Sequence, residues 1–267
     1  MNEDTKRLFF GVEAHAPWPE KLPVGRLLDE EHRHFTLAFL GNIEYKTLRE
    51  HLKDFPAIPM KTGSVGIFDS CLMLPMRHPN VVAWHAHWLD SHSALESFQK
   101  ILSNWLSEAH YSMENREWLP HLTVCRKPFD PHAWKKSFVS LPFYTGSIHL
   151  YESKGNLTYT PLWSHYIRPP FEEIEHTADI AFNIYAENIQ QLYHHAFMAL
   201  AFKHLDFLRF FIQEPSLNTL DDIIIVLNEI VGRADCEGGC PMKAVSFHGD
   251  INFLEDSTLQ WEMIIDV

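Results

Sequence analysis

Apolar and polar positions alternate along several short stretches of this chain, and that alternation predicts strands. "RLFFGVEA" near the start is an apolar run of strand length. "HFTLAFLG" alternates cleanly, with Phe35, Leu37 and Phe39 on one face and His34, Thr36 and Ala38 on the other. Gly41-Asn42 ends it. "GSVGIFDS", "NVVAWHAHWL" and "HLTVCRK" read as further strands, and "GSIHLYES" with "LTYTPLWSHYI" reads as a hairpin. Between them the period lengthens. "EYKTLREHLKDF" carries Leu48, Leu52 and Phe55 at helical spacing. "SHSALESFQKILSNWLSEA" carries Leu95, Phe98, Leu102 and Trp105, with Ser93 and Glu96 at capping-box spacing. A strand-helix-strand unit therefore occurs about twice, which predicts an α+β fold.

The remaining third has its own pattern. "AFNIYA" is strand-like. A helix follows behind an Asn188 cap, with Ile189, Leu192, Ala196 and Leu200 on one stripe. "TLDDIIIVLNEIVGRAD" predicts a second helix, capped by Thr219 and Asp222 and stopped at Gly232. "KAVSFHGDINF" and "LQWEMIIDV" alternate like paired strands. Together these make a small second α+β unit.

Charge separates the two parts. Residues 1–170 hold 18 Lys+Arg and 18 Asp+Glu, so their net charge is zero. Residues 171–267 hold 4 and 17, which is −13, the value for the whole chain. The break falls at Pro169-Pro170, where a helix is disfavoured, and three glutamates follow in four residues. This places domains at 1–168 and 171–267. The acidic second domain is a poor surface for phosphate backbones. No apolar run is long enough to span a membrane, and the charged start does not read as a secretory signal. Cys71, Cys125, Cys236 and Cys240 show no disulfide or zinc spacing, so the expected compartment is the cytoplasm.

The chemistry is carried by one pattern written twice, "HFTL" at 34–37 and "HLTV" at 121–124. On a strand, residues i and i+2 share a face, so His34 stands with Thr36 and His121 with Thr123. If the two strands are neighbours, two imidazoles and two hydroxyls converge. One imidazole then takes a proton from an attacking oxygen and the other gives one to a leaving oxygen. The hydroxyls donate to phosphoryl oxygens. A single HxT among 18 histidines means little. Two of them, each opening an apolar-alternating segment, are harder to dismiss. Strict alternation puts Cys125 on the His121 face and points Arg126 away from it. The "HAH" at 85–87 and "HH" at 194–195 read as structural or surface groups. His176, Asp179 and Asp266 are candidate metal ligands, since carboxylates and carbonyls suit hard cations, but an acidic domain offers many such pairs by chance.

"RLFFGVEA", "HFTLAFLG", "GSVGIF", "VVAW" and "PHLTVCR" together resemble the 2H phosphoesterase superfamily, and within it the RNA 2′,3′-cyclic phosphodiesterases, over about residues 6–168. The resemblance implies two pseudo-symmetric lobes with the motifs facing across a cleft. It implies metal-free opening of RNA 2′,3′-cyclic phosphate ends to 2′-phosphomonoesters. His34 would be the proton donor and His121 the proton acceptor, with Thr36, Thr123 and Arg126 on the phosphate. Reactions on 2′-5′ linkages, in either direction, use the same histidines and stay open, as does a non-catalytic RNA-end-binding role. "FEEIEHTADIAFNIYAENIQQLYHHAFMAL", "KAVSFHGDI" and the closing "DV" are similar to archease over 171–267. That resemblance implies a calcium-like divalent metal at Asp179, Asp266 and Val267, and an RtcB-type RNA ligase as partner. Both parts then concern RNA ends, in RNA repair or tRNA processing.

Overall fold

The computed structural model describes residues 4–90, 94–112 and 117–267. The first part contains β1 (Thr5–His15), β2 (Arg26–Leu27), β3 (His34–Glu44), α1 (Tyr45–His51), β4 (Val65–Leu74), β5 (Val81–Trp88) and α2 (Ala94–Glu108). It continues with β6 (His121–Arg126), α3 (Pro131–Ser137), β7 (Leu141–Gly155) and β8 (Thr158–His165). These strands make one antiparallel sheet in the order β1-β3-β6-β5-β4-β7, and β7 returns to pair with β1. The ring is thus closed, which removes the exposed edges an open sheet would have. β8 extends the sheet from β7, and β2 pairs with β6.

Alternation decides which face is core. Leu8, Phe10, Val12 and Ala14 of β1, Phe35 and Leu37 of β3, and Leu122 and Val124 of β6 are buried together. Leu95, Phe98, Leu102 and Leu106 of α2 cover them, while Trp105 packs at the margin. The Ser93–Glu96 capping box lies outside the described residues, since Ser93 does. The opposite face of β1, β3 and β6 is left for polar side chains.

The second part holds β9 (Phe171–Ile174), β10 (Ile180–Ala186), α4 (Ile189–Lys203), α5 (Leu220–Gly238), β11 (Ala244–Val245), β12 (Asn252–Phe253) and β13 (Leu259–Asp266). Its sheet runs β11-β13-β10-β9, with β12 on β13, again antiparallel. Two expectations are corrected here. The α4 stripe predicted one buried face, yet every residue from Leu192 to Ala201 is buried. The helix is covered on several sides at once, by β10, by α5 and by β4 and β7 of the first sheet. "HH" at 194–195 is therefore interior. His194 Nδ1 lies 2.6 Å from Asp90 Oδ1, tying the two parts together. Second, Gly232 does not stop α5. It sits exposed mid-helix, and the helix ends at Gly239, whose φ of 76° is the left-handed conformation that glycine tolerates.

Candidate active site

β3 and β6 meet antiparallel at one pair, Phe35 opposite Leu122. Both are fully buried and hold the two strands together from the core side. Antiparallel pairing then sets His34 across from Thr123, and Thr36 across from His121. All four point to the other face. Directly opposed side chains have Cβ atoms about 5 Å apart, and diagonal ones about 7–8 Å. The two HxT motifs, far apart in sequence, form one compact polar quartet.

Both imidazoles are held the same way. His34 Nδ1 lies 2.7 Å from the carbonyl of His32. His121 Nδ1 lies 2.8 Å from the carbonyl of Leu119. In each case the partner is the backbone oxygen two residues earlier. A carbonyl only accepts, so Nδ1 carries the proton, and Nε2 is the basic nitrogen of each ring. The indole of Trp118 donates to the carbonyl of Thr36 at 2.9 Å and fixes the backbone between the motifs.

The two histidines differ in environment. His121 is half-buried. His34 is 8% exposed. Phe9 stacks on it at 4.8 Å, Tyr159 meets it edge-on at 5.0 Å, and Tyr151 lies at 5.4 Å. Gly11 of β1 leaves the room this ring needs, since a Cβ there would lie 3.2 Å from His34 Cδ2. Burial is the main cause that pushes the His34 imidazole down to about 4. Its bond to the His32 carbonyl opposes that, and the positive charges of His32, Arg126 and His121 add to it.

Arg126 reaches the site through a bulge. β5 pairs Val82 with Cys125 but Ala83 with Thr123, so Val124 is an extra residue in β6. A bulge resets the alternation. Arg126 is exposed, and its charge acts on His34. Cys125 is the corresponding correction. Strict alternation put it on the His121 face, but it is fully buried in the core, where burial pushes its thiol up to about 11.

Two flanking pairs escaped the sequence reading. Glu13 of β1 stands opposite His34, and its Oε1 lies 2.9 Å from His149 Nε2. His149 Nδ1 is 2.7 Å from Ser164 Oγ. Burial raises the Glu13 pKa, but bonds from His149, His15 and the Ser147 amide outweigh it and hold the carboxyl well below the usual range. On the other side, His85 of β5 stands opposite His121, and its Nδ1 lies 2.8 Å from Asp69 Oδ1. Each histidine of the quartet is therefore flanked by a member of a His–carboxylate pair. A carboxylate is adjacent to His34 and an imidazole is adjacent to His121. The signal for His85 was present in "HAH", but only the β5–β6 register gives it meaning.

No protein-family profile matches the chain, and no curated protein matches it in sequence. Solved structures do match in three dimensions. A crystal structure described as a phosphoesterase is 20% identical, covering 61% of this chain and 99% of its own, with a TM-score of 0.45. Escherichia coli LigT complexed with 3′-AMP is 19% identical over 61% of this chain and 98% of its own, with a TM-score of 0.45. A protein of Thermus thermophilus is 18% identical over 61% of this chain and 98% of its own, with a TM-score of 0.44.

The candidate metal residues gather at one end of the second sheet. Ile180 pairs with Ile265, so Asp179 and Asp266 lie at the same end of β10 and β13. Asp179 Oδ2 is 3.6 Å from His176 Nδ1. Asp266 Oδ1 accepts from Ser246 Oγ at 2.8 Å. The Val267 carbonyl accepts from Lys243 Nζ at 2.6 Å. An ammonium thus already occupies the carbonyl that a cation would use. Among the described residues, no group of three or more His, Cys, Asp or Glu side chains is arranged to hold a metal ion. In this arrangement the donor set does not fit a divalent cation, and no chemistry is assigned to one.

Proposed function

We propose that residues 1–168 hydrolyse RNA 2′,3′-cyclic phosphate ends to 2′-phosphomonoesters. The observation that carries this is the antiparallel meeting of the two HxT motifs, with both histidines locked through Nδ1 so that Nε2 is the working nitrogen. A cyclic phosphodiester seated on the quartet has an imidazole on each side. His121 takes the proton of a water molecule as its oxygen attacks phosphorus. The bond from phosphorus to O3′ breaks, and His34 gives its proton to O3′. Thr36 and Thr123 donate to the two non-bridging oxygens, and Arg126 offsets their charge. Proton exchange with water resets both rings.

In the free protein His34 is neutral at pH 7, because burial holds it at about 4. It takes up the proton it later donates once the phosphodiester anion supplies an opposite charge.

The test is to incubate the protein, in EDTA, with short RNAs ending either in 2′,3′-cyclic phosphate or in an internal 2′-5′ linkage, and to identify the product ends. The expected result is a 2′-phosphomonoester from the first RNA at a rate well above that on the second. Cleavage of the 2′-5′ linkage alone would move the activity to that substrate. Turnover of neither would remove the enzymatic reading. The ligase-helper role for residues 171–267 rests on the archease resemblance. Its direct check is whether that RNA ligase, supplied with GTP, turns over faster when this chain is added.

A further inference from the structure

β2 is two residues long, and it places Arg26 directly opposite Arg126. Opposed residues on antiparallel strands share a face, and like charges there are destabilising. Both arginines are exposed. Among the described residues, no carboxylate forms an ion pair with either one. This cationic pair stands on a chain of net charge −13. The position of Arg26 is fixed on both sides. Leu28, two residues on, is buried and its amide donates to the Val124 carbonyl at 3.0 Å. Gly25, just before it, lies against the core thiol, where a Cβ would be 2.2 Å from Cys125 Sγ. The strand register therefore sets Arg26 and Arg126 side by side where no described carboxylate pairs with either. Arg126 in turn lies close enough to influence His34.

An anion between the two guanidiniums removes the repulsion, and phosphate matches their planar donor geometry. The scissile phosphate sits on the HxT quartet, with Arg126 at its edge. Arg26 lies at the Arg126 end of β6, away from His121. We propose that Arg26, with Arg126, binds the internucleotide phosphate next to the cyclic end, so that the substrate is an oligonucleotide and not a cyclic mononucleotide. This rests on the function proposed above and names its substrate class.

Two arms test it. In the first, kcat/KM is measured for a cyclic mononucleotide and for a short RNA with the same terminal cyclic nucleotide. Arg26→Ala is expected to cost about tenfold more on the RNA than on the mononucleotide, carried by KM, as one charge-assisted contact allows. Arg26→Lys is expected to recover part of that loss. In the second arm, fluorescence anisotropy follows binding of a short RNA ending in 3′-phosphate, and needs no turnover. Arg26→Ala should weaken binding and flatten the dependence of log K on log salt by about 0.7. Equal losses on both substrates, or an unchanged salt slope, would overturn the proposal. If wild type turns over neither substrate but the binding arm behaves as expected, the proposed reaction fails while the phosphate contact stands.

Discussion

His34 is the most buried of the four groove residues, and it owes its position to a neighbour with no side chain. A methyl group at Gly11 would press on His34 Cδ2, the Phe35 carbonyl and Tyr151 Cε2, all within 3.2–3.3 Å. Relief requires these groups to move by a few tenths of an ångström. Such a shift of an acid relative to its phosphate is costly, since about 1 Å of misplacement costs about 100-fold. Gly11→Ala is expected to lower kcat about tenfold with KM changed little, and an unchanged kcat would count against the packing argument. The four quartet residues were legible in the sequence because alternation alone sets their face. Arg126 and Cys125 were not, because the bulge at Val124 reverses the alternation after Thr123. That bulge is a property of the pairing with β5, which no local pattern in "HLTVCRK" announces.

The strands and helices themselves were mostly readable. Period 3.6 holds in α2, and period 2 holds in β3 as far as Leu37; beyond it Ala38 is buried, Phe39 is exposed, and the strand runs on through Gly41-Asn42 to Glu44. Periodicity fails in α4, where burial is all-round and the pattern reads only as apolar. Glycine was the other misleading signal. In α5 the chain passes through Gly232 because Thr219 and Asp222 cap the start and Ile223, Leu227, Ile230 and Ala234 bury one face on either side of it. Nothing lies within 4 Å of a Cβ built on Gly232, and the residue is exposed. Gly232→Ala is therefore expected to stabilise the protein by about 0.5–1 kcal/mol. Urea denaturation checks this. A loss of stability would show that the position has a contact the structure lacks. The adjacency of β3 and β6 was beyond sequence reasoning, since one pair of residues makes it and Phe35 and Leu122 are distant along the chain.

At the scale of the molecule, two buried histidines, one in each part of the chain, shape the response to acid. His34 and His195 are both held at about 4, each mainly by burial. An unfolded histidine titrates near 6.5. Between about 6.5 and 4 the unfolded chain binds protons that the folded chain does not, so stability falls as pH falls. Each group contributes a loss on the order of 1 kcal/mol per pH unit at most in that window. Urea midpoints at pH 7 and pH 5 should differ accordingly, and His34→Asn should reduce the slope. A flat profile would show that neither ring is desolvated as the fold implies. The fold's central act, however, is to bring two distant strands together so that two histidines work on one phosphate. The most direct measurement is the single-turnover rate on RNA ending in 2′,3′-cyclic phosphate for wild type, His34→Ala, His121→Ala and the double variant. Groups that act as one unit are strongly non-additive. Each single variant should lose nearly all the rate, and the double variant should be little worse than either. If the two losses multiply, or if one single variant keeps the wild-type rate, the histidines do not form an acid–base pair on a shared phosphate.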